Sequence, residues 1–263
     1  MREAALSSLR AFLAARQTSS SLSTLEILKL WMGLYYALWM ADRAVPQQNL
    51  CNDLAALLSV FDRDDNAAAI AWLRGFWATM ARKWTEIDVL RMEKFLLLVR
   101  RVLGASLAWM KADVAGGEGK WDAGRVDSML DLLAEWPFSL QSGRQSNSAG
   151  DDGGSRGGED EDLMPKTVPA GLRVHVLDIW VDEAEKLGML DDDDTVGHEI
   201  LKRINDLVAA LQKATTTTSV RKRSQDSLDD ERLPWNAKDA GIEGQGGEDE
   251  DMADDASWDG FND

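Results

Sequence analysis

At 263 residues with a formal net charge of −17, the chain carries 44% hydrophobic residues and eleven Trp, enough for the core of one or two domains and too apolar for a wholly disordered chain. A single cysteine, Cys51, excludes an intramolecular disulfide and a thiolate-built structural zinc site and fits a reducing compartment. Residues 1–140 hold 16 Lys and Arg against 16 Asp and Glu, so the acidic excess falls entirely in residues 141–263, with 13 against 30.

From Arg2 to Arg16, Ala5, Leu6, Leu9, Phe12 and Leu13 recur at helical spacing, which predicts a first amphipathic helix. This stretch lacks the continuous apolar run of a secretory signal, and Glu3 and its short length argue against a transit peptide, leaving cytosol or nucleus. A helix over Ser23 to Ala41 follows. Ser23 and Glu26 make a capping box, with Leu22 and Ile27 at the staple positions. From Leu30 to Met40 the residues are apolar or aromatic on every side, so this helix is expected to be wrapped by others. The uncharged run is too short for a membrane span, which needs about 20 residues.

Pro46 marks the start of a helix carrying Leu50, Leu54, Leu57, Leu58 and Phe61. The turn over residues 62–66 supplies N-cap candidates for the next, with Ile70, Leu73, Trp77, Met80 and Trp84 in helical register. Thr85 is the expected cap of the helix with Met92, Phe95, Leu96, Val99, Val102 and Leu103 on one face and Lys94 and Arg101 opposite. A loop near residues 115–120 and a shorter helix from Trp121 to Trp136, closed by Pro137, complete an N-terminal helical block over residues 1–140.

Residues 141–164 read as a disordered Ser/Gly/acidic insertion, too polar to offset chain entropy. Residues 165–213 hold two helices that dock on the same domain. One starts at Pro169 and stops at Gly188, and the other carries Ile200, Leu201, Ile204, Leu207, Val208 and Leu211. Residues 214–263 read as a disordered acidic tail. With no alternating strand pattern, the expected fold is all-α, a HEAT-like α-solenoid of stacked antiparallel helix pairs, although no fixed-period sequence repeat accompanies it.

Nothing in the chain assembles a catalytic, cofactor or metal site, and the reading is of a non-enzyme without a small-molecule substrate. GGEGK lacks phosphate-loop spacing. In the run over residues 191–194, Val196 and Arg203 occupy positions where a calcium loop needs oxygen ligands. His175 and His198 stand apart, and Cys51 has no adjacent base. The most basic stretch, residues 74–101, offers Arg82, Lys83, Arg91, Lys94 and Arg101 as candidate contacts to RNA or a partner, against the simpler reading of solvated charges. Arg221, Lys222 and Arg223 form a candidate nuclear-import signal. Ser227 precedes Asp229, Asp230 and Glu231, an acidic context suited to phosphorylation.

Three stretches resemble a known family: LKLWMGLYYALWMADRAVPQQ (28–48), GFWATMARKWTEIDVLRMEKFLLLVRRVL (75–103) and GLRVHVLDIWVDEAEKLG (171–188). In order and spacing they are similar to blocks of the eukaryotic ribosomal RNA-processing protein 1 family of the nucleolus, and the resemblance covers most of residues 1–213. It implies a non-enzymatic assembly factor of large ribosomal subunit precursors in the nucleus and nucleolus, with other assembly factors and pre-rRNA as partners and no membrane. The alternative is a helical adaptor with protein partners only, unrelated to ribosomes.

Overall fold

The computed structural model describes residues 2–19, 22–61, 66–112, 121–140 and 163–236. These form nine α-helices: α1 (Arg2–Ser19), α2 (Thr24–Trp39), α3 (Ala44–Ala55), α4 (Asn66–Lys83), α5 (Val89–Trp109), α6 (Ala123–Glu135), α7 (Ala170–Glu185), α8 (Thr195–Ala214) and α9 (Thr218–Leu228). Short 3-10 turns follow α3 and α4. The described residues contain no strand, only one isolated bridge between Lys111 and Trp121.

Side-chain contacts reveal two layers of parallel helices. In one layer Ile27 of α2 lies on Gly75 of α4 and the Trp31 indole donates to the Trp72 carbonyl. Asn66 and Arg74 of α4 meet Gly124 and Glu135 of α6, and Asp127 of α6 meets Arg203 of α8. In the other, Cys51 of α3 donates to the Lys94 carbonyl of α5, and Leu96 and Arg100 of α5 meet His175 and Glu183 of α7. Asp178 and Trp180 of α7 in turn meet Arg223 and Ser227 of α9. From α2 onward each helix thus packs on the one two places along, the stacking of an α-solenoid. The core between the layers is built from Trp72, Phe76, Trp77, Phe95 and Trp180, all buried.

The helix ends follow their sequence signals in most places. Ser23 accepts from the Glu26 N–H at 3.3 Å while Glu26 accepts from the Ser23 N–H at 2.9 Å, the reciprocal capping box. After α7 the chain turns at Gly188, whose φ of +71° is a left-handed conformation suited to glycine. Asp194 caps α8 through the Gly197 N–H at 2.8 Å. Thr85, however, lies in the 3-10 turn Trp84–Glu86, and the cap of α5 is Asp88, which accepts from the Arg91 N–H at 3.1 Å. An Asp three residues later serves as well as a Thr. The residue 62–65 part of the expected α4 cap lies outside the described residues.

Two expectations need larger corrections. First, α2 is not wrapped on every side: Lys29, Gly33, Tyr36, Ala37 and Met40 are exposed. These residues lie opposite Trp31 and Tyr35, which face the core, because α2 is the first helix of its layer and no described helix packs beyond it. Second, residues 214–236 are not a tail. Helix α9 buries Val220, Ser224 and Ser227, the following turn buries Leu233, and Arg232 reaches Asp182 at 3.0 Å and Glu185 at 2.8 Å on α7. A buried face made of serines leaves no apolar stripe to read in the sequence. The rest of that segment, 237–263, lies outside the described residues. Of the insertion, 141–162 also lies outside them, while Leu163 and Met164 are half-buried against the core.

Ending the chain after residue 214 should therefore uncover Trp180 and remove the buried Val220 and Leu233. Each apolar side chain contributes about 1.5–3 kcal/mol. The truncated chain should melt below the full chain by circular dichroism, whereas a true tail would leave the melt unchanged.

Candidate functional site

The candidate cations of the basic stretch are set by the turn between α4 and α5 and by the packing of α5 on α2. Lys94 is buried, with 6% relative exposure. Its ammonium donates to the Trp39 carbonyl at 2.7 Å and the Ala41 carbonyl at 2.9 Å. These acceptors lie at the C-terminal end of α2, where carbonyls lack helical partners and the dipole favours a cation. Burial, and next the nearby Arg91, lower its pKa below the ordinary lysine value. Lys94 is therefore a helix cap, and the expected solvent-facing role is incorrect for it. Its position opposite the apolar stripe of α5 does not lead to water because α2 covers that side.

The other four cations do not converge on one surface. Arg91 pairs with Asp88 and lies 4.8 Å over the Trp39 ring, a cation–π contact. Lys83 pairs with Glu86 at 2.7 Å, which raises its pKa. Arg82 donates to the Leu163 carbonyl, holding the chain after the insertion against α4. Arg101 is exposed and has no ion pair among the described residues. Lys83, Arg91 and Lys94 thus gather around the C-terminal half of α2, mostly engaged with their own chain, and Arg101 stands apart.

The candidate import signal sits on α9. Arg221 donates to the Thr215 carbonyl at 2.7 Å, Arg223 pairs with Asp178 at 2.8 Å, and Lys222 is exposed. Ser227 is buried and accepts from the Trp180 indole at 2.6 Å, so modification requires α9 to lift. The ion pairs of Arg100 with Asp182 and Glu183, and of Arg232 with Asp182, Glu185 and Asp230, were not apparent in sequence. Their members come from three separate segments.

Among the described residues no group of three or more His, Cys, Asp or Glu is placed to hold a metal ion. His175 has its Nε2 at 2.9 Å from the Leu96 carbonyl and its ring on Trp84, and burial lowers its pKa. A groove of about 430 Å³ between the end of α6, residues 163–168 and α8 is lined by Trp136, Phe138, Leu140 and Leu207, with Glu135 and Lys166 as its charged groups. Cys51 is buried and its thiol is pushed up to about 12 by burial, the opposite of a reactive thiol. Labelling by iodoacetamide at neutral pH should accordingly track global unfolding. Rapid labelling of the folded chain would contradict this placement.

These features describe an all-α solenoid whose described polar clusters act as caps and ion pairs between helices. The chain belongs to the Nop52 family: the family described as "Nucleolar protein, Nop52" matches residues 1–150 and 160–260. It is 32% identical over 190 residues to Ribosomal RNA processing protein 1 homolog A of Mus musculus, covering 71% of this chain and 32% of that protein. It is 29% identical over 191 residues to homolog B of Homo sapiens, covering 72% and 21%. The Drosophila melanogaster homolog is 29% identical over 161 residues, covering 61% and 19%. The chain thus spans about a third or less of the length of these relatives. No helix among the described residues is long and apolar enough to cross a membrane.

Proposed function

We propose that this chain is a non-enzymatic helical scaffold in nucleolar precursors of the large ribosomal subunit, where it binds other assembly factors and supports pre-rRNA processing. The observation that carries this reading is the family match over nearly the whole chain, together with relatives named for ribosomal RNA processing. The fold supports it, because a solenoid presents long surfaces to several partners. Affinity purification of the tagged protein tests it. Large-subunit precursor RNA and assembly factors should co-purify, and their absence would sink the proposal.

Within the particle, protein contacts are the stronger expectation and pre-rRNA contact the weaker one, because Lys94 is buried and Arg91 and Lys83 are paired with carboxylates. Arg82 and Arg101 are the candidates left exposed. Arg101→Glu should hold stability within about 0.5 kcal/mol and reduce recovery with the particles. Unchanged recovery of the folded variant would assign Arg101 to solvent alone. An import role for Arg221, Lys222 and Arg223 requires release of the two arginines from Thr215 and Asp178.

A further inference from the structure

Helix α2 opens the stack with the wrong kind of surface. Terminal units of a solenoid ordinarily turn a polar face outward, yet Leu25, Met32, Gly33, Tyr36, Ala37 and Met40 recur at helical spacing along its uncovered side, with Lys29 and, at its N-terminal end, the capping Glu26 as the charges among them. Tyr36 is 48% and Met40 72% exposed, and a Cβ built on Gly33 meets nothing within 4 Å. The stripe runs about 22 Å. Gly33 and Ala37, one turn apart, give it a shallow floor between larger side chains. Apolar stripes of this extent mark binding surfaces.

Two exposed cations flank it. Lys29 and Arg43 have no ion pair among the described residues, and Asp42 beside Arg43 is also exposed, so an occupant whose apolar groups cover the stripe and whose carboxylates reach Lys29 and Arg43 suits this face. The chain itself contains one. Residues 248–263, EDEDMADDASWDGFND, carry eight acids together with Met252, Trp258 and Phe261. Large aromatic residues are unusual in acidic low-complexity sequence. The family match continues to residue 260 and so includes Trp258.

Reach is sufficient. The described chain ends at Asn236, beside α7 and α9. With helices spaced 8–10 Å apart, this lies roughly 30 Å from the α2 end of the stack. The residues between Asn236 and Trp258 can reach up to about 75 Å at full extension, more than that distance. A tethered segment of that length meets the face at millimolar effective concentration, enough for a contact of modest intrinsic affinity.

We propose that the acidic, aromatic segment 248–263 docks in cis on the open stripe of α2. Trp258 and Phe261 cover the Gly33, Tyr36 and Met40 surface, and the carboxylates lie near Lys29 and Arg43. Docking would keep the end of the solenoid shielded until a competing partner displaces the segment.

Methyl NMR of methionine-labelled protein tests this, comparing the full chain with a chain ended after residue 240. Ring currents from Trp258 and Phe261 should displace the Met32 and Met40 methyl signals in the full chain only. Trp258→Ala with Phe261→Ala should return both signals to their positions in the shortened chain. The core methyls of Met80 and Met129, both buried, should hold still throughout and report that the fold is intact. Raising salt to about 1 M, where the Debye length is ~3 Å, should shrink the displacement. Coincident Met32 and Met40 signals in the two chains would overturn the proposal. So would a displacement that grows with protein concentration, which would mean a second copy occupies the face.

Discussion

Lys94→Glu should be among the most damaging single changes in this protein, costing about 3–5 kcal/mol. The wild-type ammonium satisfies two carbonyls at the end of α2 from a buried position. A carboxylate there would face the same two acceptors and the negative end of the helix dipole with no donor to offer. Lys94→Met should fall between, at about 1–3 kcal/mol, because it takes the donor from the Trp39 carbonyl, while the Ala41 carbonyl keeps the Gln47 amide, and buries no wrong charge. For a domain of this size each kcal/mol moves the melt by about 2–4 °C, so the three proteins should separate clearly by calorimetry. A Lys94→Glu melt matching wild type would show that the ammonium does not cap α2.

The same residue sets the sign of a pH effect. Burial holds the Lys94 pKa below its ordinary value of 10.5, so the unfolded chain retains that proton to higher pH than the folded chain. For this group alone, stability rises with pH through the window beneath 10.5 and levels off above it. Wild type should therefore gain on Lys94→Met as pH increases through that window.

Trp31→Ala is the second large effect. The indole is buried against Trp72 and Phe76, with ring centroids at 4.7 and 5.0 Å, and its N–H donates to the Trp72 carbonyl at 2.9 Å. Truncation leaves a cavity at the α2–α4 contact and removes the indole hydrogen bond to a carbonyl that keeps its own helical donor, so the loss should reach about 3–5 kcal/mol. Trp31→Phe keeps most of the packing and loses the hydrogen bond, for about 0.5–1.5 kcal/mol. Trp39→Ala, on the same helix, should cost less than Trp31→Ala because Trp39 is only half-buried, between Arg91 and Phe95. Equal losses at Trp31 and Trp39 in urea melts would contradict this account of which side of α2 faces the core.

Legibility in the sequence followed the kind of signal each element carries. Helices α1 to α8 were visible because their apolar residues repeat at helical spacing, and the capping box at Ser23 and the left-handed Gly188 have short local signatures. Helix α9 was hidden because Val220 is flanked along its buried face by Ser224 and Ser227, which score as polar wherever they lie. The role of Lys94 was equally hidden. Periodicity placed it opposite the apolar side of α5, but whether that side meets water depends on α2, more than fifty residues away. The open face of α2 did leave a trace: Lys29, Gly33 and Ala37 stand at intervals of four, a charge and two small residues along one line of an otherwise bulky helix. The candidate cations suffered most, since a linear run says nothing of which charges are paired. Arg91 finds Asp88 and Lys83 finds Glu86 within their own turns.

Depleting the protein in its own cells and measuring precursor rRNA by hybridisation tests the scaffold assignment most directly. Precursors of the large-subunit rRNA should accumulate while mature small-subunit rRNA continues to form, and wild-type protein should restore processing where the Lys94→Glu variant fails. Unchanged precursor levels after depletion would contradict the account.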